Sequence, residues 1–306
     1  MSYAPPPGPV CGLVRPRWLV GGLVTATVVD LGRSYHGPVS AAGDSTTRSH
    51  LLPGFSYFEY QRIVCREVLI PWLDKHVSLE GLLLGDFGAH HGGMVDALRE
   101  EGRVAGAVGL ELSEDVVASS PFVSDERFRL ECADLLAPDA HTPKFDLVLL
   151  HDVLEHIPDY HRALVAIRAS LREGGYVFVS FPPYYSAFGG HQQYARGVAR
   201  FTPFVHLLPE RLFYRLAEPG EQEYMTPEGA HEDLVSVRRT RLTLSAAERV
   251  FARARLAVVA RELFLVRPEY TVRYGLKARG ASVLGRLPLV REIGINGAFY
   301  LLRSAA

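Results

Sequence analysis

The strongest constraint on how this chain can fold is an alternation of short apolar stretches with amphipathic ones between residues 80 and 184. LEGLLLGDF, VAGAVGLEL, RFRLECADL, KFDLVLLHDV and YVFVSFPP read as strands. Between them GMVDALREEG, SEDVVASS and DYHRALVAIRASLREGG read as helices, the last closed at Gly174. Strands this apolar need cover on both faces, and parallel strands joined by right-handed helical crossovers form a doubly wound α/β sheet. The alternation lapses from Tyr184 to Arg241. It returns with the helix SAAERVFARA, the strand LAVVARELFLVR, an insertion at 268–292 and a last strand INGAFYLLRS.

This pattern predicts four regions. Residues 1–78 form an N-terminal arm ending in a lid helix, YFEYQRIVCREVLIPWLDKHV, broken near Pro71. Residues 79–184 hold the ligand-binding core, 185–240 a cap rich in aromatics, histidines and prolines, and 241–306 the rest of the sheet. The cap is too long and too aromatic for a disordered linker, which points to a functional role. Arg238, Arg239 and Arg241 within it are explained by alternating outward strand positions as well as by a basic patch.

Composition removes several classes of function. The net charge of −1 argues against nucleic-acid or membrane-surface partners. The odd, widely spaced cysteines Cys11, Cys65 and Cys132 suit free thiols in a reducing compartment. The apolar run from Trp18 to Val29 is too short to span a bilayer, and no clean cleavage site follows it. The start is therefore read as an irregular arm, and the cytoplasm as the expected location.

In such a sheet the ligand crevice opens at the carboxyl ends of the strands. The first strand ends in Asp86-Phe87-Gly88-Ala89-His90-His91-Gly92, a glycine-bearing turn before a helix whose free N–H groups face the crevice. Such a turn is weak evidence alone. Glu111, with Leu112 after it, ends the second strand, where a carboxylate accepts from ribose hydroxyls. Asp134, followed by Leu135, ends the third, and His151-Asp152 the fourth. Acids at successive strand ends make coincidence an unattractive account.

The set resembles the class I, Rossmann-like methyltransferases that depend on S-adenosylmethionine, and among them the small-molecule type found in ubiquinone biosynthesis. The likeness covers about residues 79–184 and 241–306. It implies a seven-stranded sheet with its last strand antiparallel, and S-adenosyl-L-methionine, leaving as S-adenosyl-L-homocysteine, as cofactor. Asp86, Phe87, Gly88, Ala89, His90, Gly92, Glu111, Leu112, Asp134, Leu135, His151 and Asp152 are the expected cofactor residues. The departure is His90, where the family has glycine. It is expected to keep ordinary backbone angles and to point to solvent or the cap.

The implied reaction is methyl transfer to a small molecule, more readily to oxygen than to nitrogen or carbon. A hydroxyl acceptor must lose its proton, and histidine suits that near neutral pH. His156 in DVLEH and His191 in GGHQQY are the candidate bases. Tyr57, Tyr184, Tyr185, His191, Tyr194 and His206 are candidate substrate contacts. Asp152, Glu155 and His156 share a helical face, and a related Glu-x-x-Glu-His stretch accompanies metal in some ubiquinone-pathway relatives. Three side chains without a fourth ligand fall short of a site, and no metal is expected. Alternatives are an RNA or protein methyltransferase, or a relative that binds the cofactor without transferring methyl. A dehydrogenase is disfavoured because G-x-G-x-x-G is missing. A homodimer through 268–292 is a further expectation.

Overall fold

A computed structural model describes residues 56–136, 144–220, 226–281, 285 and 287–304. The glycine- and proline-rich arm of residues 1–55 lies outside them. The lid helix is present as α1 (Tyr57–Val64), a π-helical turn (Cys65–Leu69) and α2 (Ile70–Leu73). The break comes just ahead of Pro71, whose missing N–H and bulky ring do not fit a regular helix interior. Ser56 caps α1 by accepting from the Glu59 amide.

The core follows the predicted order: β1 (Leu83–Phe87), α3 (Gly93–Glu101), β2 (Gly106–Glu111), α4 (Glu114–Ala118), β3 (Phe128–Cys132), β4 (Phe145–His151), α5 (Tyr160–Ser170) and β5 (Leu171–Phe181). One boundary differs. Helix α5 stops at Ser170 rather than Gly174, because Leu171 already pairs with Phe145 across β4. Gly174, at φ +71°, takes up the bend before Tyr176 resumes the ladder.

The chain then passes through the cap, which holds α6 (Glu210–Leu216) and α7 (Pro227–Thr240). Helix α7 was not expected. Its signals were local: Thr226 caps it by accepting from the Gly229 amide, and Pro227 occupies its first turn. Arg238 and Arg239 thus sit in the last turn of a helix, with Arg241 at its C-cap, and not on a strand. The fold is completed by α8 (Leu244–Arg253), β6 (Leu256–Val266), α9 (Glu269–Tyr274), β7 (Arg279–Gly280), α10 (Pro288–Gly294) and β8 (Gly297–Ser304).

The strand order is β3-β2-β1-β4-β5-β8-β6-β7. Strands β1 to β5 run parallel, and β8 inserts antiparallel between β5 and β6. Among the described residues the sheet therefore has eight strands rather than seven, the additional one being the two-residue β7 on the edge of β6. Alternation along each strand builds two cores. In β4, Leu147 and Leu149 face α1, α2 and α3, whereas Val148 and Leu150 face α5 and α8. The cap has a small core of its own around Phe213, Val205 and Leu234.

Candidate active site

The strand ends open onto a cavity of about 480 Å³. Its walls come from β1, β2 and β4, from the ends of β3, β5 and β6, and from α1, α7 and α9. Of the predicted residues it brings together Tyr57, Asp86, Gly88, His90, Glu111 and Leu112. Asp134, Leu135, His151, Asp152, His156, His191 and Tyr194 line it too.

At one end the turn after β1 is tied to β2, with the Gly88 and Ala89 amides donating to the Leu110 carbonyl at 2.8 and 3.0 Å. Gly88 sits at φ +83°, and a Cβ there would meet Val153 Cγ2 at 2.6 Å, so only glycine fits without displacing the wall. Glu111 accepts from the His90 amide through Oε2 at 2.9 Å and from the Ser113 amide through Oε1 at 3.0 Å. The glutamate thus shapes the loop that it flanks. Asp86 is 2% exposed, and among the described residues its Oδ2 has no hydrogen-bond partner. Burial, reinforced by Glu111 and opposed by His151, raises its pKa to about 7.

The expectation for His90 is corrected. It adopts φ +51° and its ring lies edge-on to Tyr57, centroids 4.7 Å apart, with Nδ1 3.1 Å from His91 Nδ1. The tightness of the turn imposes the left-handed backbone, and the ring lines the cavity. Burial, then His91, lowers its pKa to about 3, so the imidazole is neutral.

Asp152, also left-handed at φ +55°, gives both carboxylate oxygens to Arg267 Nη2 at 2.7 Å. Arg267 also reaches Glu269 at 2.7 Å, and Glu269 lies 3.4 Å from His151 Nε2. Burial alone would raise Asp152, yet Arg267 holds it well below the usual carboxylate range. Asp152 is therefore engaged and does not join Glu155 and His156 as a third ligand. Ligand atoms of Glu155, His156 and His191 do converge, all within 4.8 Å of one another.

Behind the second end Glu155 is 1% exposed, and among the described residues neither carboxylate oxygen has a hydrogen-bond partner from another residue. Burial, then Asp152, pushes its pKa well up. His191 Nε2 lies 3.7 Å and His156 Nε2 4.0 Å from Glu155 Oε1. Behind them His191 Nδ1 is 2.9 Å from Asp233 Oδ2, and His156 Nδ1 is 2.9 Å from Ser236 Oγ. Burial lowers the His156 pKa, with Asp233 partly offsetting it.

Five expected contacts lie elsewhere, and a sixth touches only the edge of the turn. Phe87 packs edge-on to Phe145 in the core, 5.7 Å between centroids. Gly92, at φ +77°, is the N-cap of α3. Ala89 is fully buried, and its carbonyl accepts from Gln61. Tyr184 is buried against Tyr185 and His206, and Tyr185 is exposed. His206 is an internal brace: its Nε2 donates to the Tyr184 carbonyl at 2.7 Å, in a niche that exists because residue 190 lacks a Cβ. Sequence reasoning missed Gln61, Asp233, Arg267, Glu269, Tyr270 and Arg273 on the wall. The cap signal of α7 could have exposed Asp233. For Arg267 only its place at the end of a strand pointed inward.

Residues 80–225 match the model of a methyltransferase domain family. A ubiquinone biosynthesis O-methyltransferase of Methylococcus capsulatus is 32% identical over 114 residues, which is 36% of this chain and 47% of that protein. Residues 80–225 are a class I, S-adenosylmethionine-dependent methyltransferase domain. A second ubiquinone biosynthesis O-methyltransferase, from Coxiella burnetii, is 23% identical over 176 residues, 54% of this chain and 73% of that one. The chain spans about half the length of most of the curated relatives it matches. An S-adenosylmethionine-dependent methyltransferase of Mesorhizobium loti aligns at TM-score 0.45 and 17% identity, over 76% of this chain and 96% of that one.

The methyltransferase domain's cofactor is S-adenosylmethionine, and the cavity suits it. The unpartnered Asp86 oxygen, the Cβ-free wall at Gly88 and the Glu111 and Asp134 carboxylates would suit a ligand rich in hydroxyl and amine donors. Among the described residues no helix is long and apolar enough to cross a membrane.

Proposed function

We propose that the chain moves the methyl group of S-adenosylmethionine to a hydroxyl of a small molecule, with His191 or His156 taking the proton. One observation carries this reading. A single cavity joins the Asp86, Glu111 and Asp134 end to the His156, His191 and Asp233 end, so cofactor and acceptor share one space. The two relatives described above are named O-methyltransferases, which favours oxygen as the acceptor atom.

S-adenosylmethionine supplies a methyl on a positively charged sulfur. Glu111 and Asp134 hold the ribose and adenine side. Tyr57, on α1, and Tyr194, in the cap, line the cavity and would help to exclude water once it is filled. An acceptor hydroxyl held beside Nε2 of His191 or His156 passes its proton to the imidazole as the oxygen attacks, and the cavity fixes the line of approach. The remaining parts of the reading are a cytoplasmic enzyme without nucleic-acid partners and a homodimer through the 268–292 segment, where Leu287 and Leu289 are exposed.

Titration calorimetry with S-adenosylmethionine and its demethylated product tests the first step, and absence of binding removes the reading. Mass spectrometry of turnover on hydroxylated aromatic and lipid-like compounds tests the second. Turnover is expected to persist after chelation with EDTA. Loss on chelation and recovery with a divalent cation would make His156 and His191 ligands in place of bases. Sedimentation showing only monomer at high concentration would remove the homodimer.

A further inference from the structure

We infer that Asp233 and Ser236, on the cap helix α7, are positioning residues that hold His191 and His156 as Nδ1–H tautomers, so that both Nε2 lone pairs face the pocket beside Glu155. This rests on the reading of those histidines as the proton-accepting end of the site.

Hydrogen-bond donors fix both tautomers. Asp233 is ionised: burial opposes this, but His156 and His191 hold its pKa below the usual carboxylate range. An ionised carboxylate only accepts, so the 2.9 Å contact from His191 Nδ1 to Asp233 Oδ2 requires the proton on Nδ1. Ser236 has one hydroxyl proton, and it is committed to the Asp233 carbonyl at 2.8 Å. In the 2.9 Å contact with His156 Nδ1 the Ser236 oxygen must therefore accept. Asp233 Oδ1, 3.4 Å from the same Nδ1, favours the same proton position. A neutral imidazole with its proton on Nδ1 has its lone pair on Nε2.

Both Nε2 atoms point to one place, 3.7 and 4.0 Å from Glu155 Oε1, and among the described residues neither Glu155 oxygen has a hydrogen-bond partner from another residue. Two imidazole lone pairs thus converge beside the Glu155 carboxyl, where a substrate hydroxyl would bring a donor. None of the orienting groups belongs to the Rossmann-like sheet. Asp233 and Ser236 come from α7, and His191 opens the short 3₁₀ turn Gln192–Tyr194 with a left-handed backbone at φ +55°. The cap then does more than cover the cavity. It sets the protonation pattern of the rim.

The test is long-range proton–nitrogen spectroscopy of the histidine rings in the full chain, without cofactor, at a pH where both rings are neutral. Both His156 and His191 are expected to show Nδ1–H in the wild type, a readout that needs no variant. Asp233→Asn is expected to convert His191 to a mixed or Nε2–H pattern, and Ser236→Ala to do so for His156. In turnover, Asp233→Asn is expected to lower kcat by at least about tenfold with KM within about twofold, because a wrongly protonated base fails only in the reacting complex. Asp233→Glu should recover part of that loss. Nε2–H rings in the wild type would overturn the inference, and so would a His191 pattern unchanged by Asp233→Asn. Correct tautomers with no methyl transfer to any acceptor would instead remove the proposed function and leave the tautomer assignment standing.

Discussion

At the scale of single residues, backbone strain marks the cavity. Six non-glycine residues among those described have positive φ, and three of them, His90, Asp152 and His191, line the same space. A left-handed residue other than glycine costs roughly 1–2 kcal/mol, which persists only where its surroundings hold it. His90→Gly therefore tests what the imidazole contributes. It relieves the backbone and loses the Tyr57 and His91 contacts, so the net change in unfolding free energy is expected within about 1 kcal/mol. Cofactor affinity, read by calorimetry, is expected to be retained. A loss beyond tenfold would show that the ring holds the cofactor. Asp86 offers a second test. Its folded pKa, raised to about 7, lies above its unfolded value, so the stability linked to its proton is present in acid and is lost as pH climbs from about 4 through about 7. Asp86→Asn is then expected to gain on the cofactor-free wild type above pH 7, by no more than about 4 kcal/mol. Paired urea titrations across that range measure the difference, and parallel curves would contradict the buried, unpartnered carboxyl.

At the scale of elements, the site depends on how closely α1 approaches α3. Gln61 clamps the cofactor turn, donating to the Ala89 carbonyl at 3.1 Å and accepting from the Gly93 amide at 3.3 Å. Arg62 pairs with Asp96 at 2.9 Å along the same seam. The approach requires glycine: a Cβ on Gly93 would lie 2.4 Å from the Phe58 carbonyl oxygen. Gly93→Ala is expected to push α1 outward, lowering stability by about 1–3 kcal/mol and weakening cofactor binding through the displaced turn. Unchanged thermal unfolding and affinity would mean that α1 is not seated there. The same seam shows what the sequence could reveal. Asp86, Glu111 and Asp134 were legible because a strand end is set by its own apolar run and the turn that follows. Helix α7 was obscured by the aromatics, prolines and histidines around it, although Thr226-Pro227 announced its start. His206 resembled a substrate contact, and only the absent Cβ at Gly190 shows why it turns inward. Gln61 gave no signal, since its role is fixed by an approach between helices that local pattern does not encode.

At the scale of the whole molecule, one guanidinium joins the two halves of the sheet at the cavity. Arg267, just past β6, is 4% exposed and binds Asp152, just past β4 and 115 residues earlier, together with Glu269. Such a return of the chain lies beyond any sequence window, which is why Arg267 was missed although the strands that precede it and Asp152 were both read from the sequence. The last strand makes room for it, since a Cβ on Gly297 would meet Arg267 Cγ at 2.3 Å. Removing the charge leaves two carboxylates buried together, and breaking a buried pair on one side costs about 3–5 kcal/mol. Arg267→Ala is expected to lose about that much at neutral pH. In the wild type Asp152 and Glu269 are held below their ordinary pKa values, so their stabilisation is present above the unfolded pKa and is lost as pH falls through the folded ones. In the variant the carboxyls take up protons readily, and the deficit should therefore shrink toward pH 4. Adding Asp152→Asn should recover part of the loss at pH 7, because only one buried charge then remains unpaired. Urea unfolding of the wild type, Arg267→Ala, Asp152→Asn and the double variant at both pH values decides it. A pH-independent deficit, or no recovery in the double variant, would place the energy of Arg267 in its packing rather than in the link it makes across the sheet.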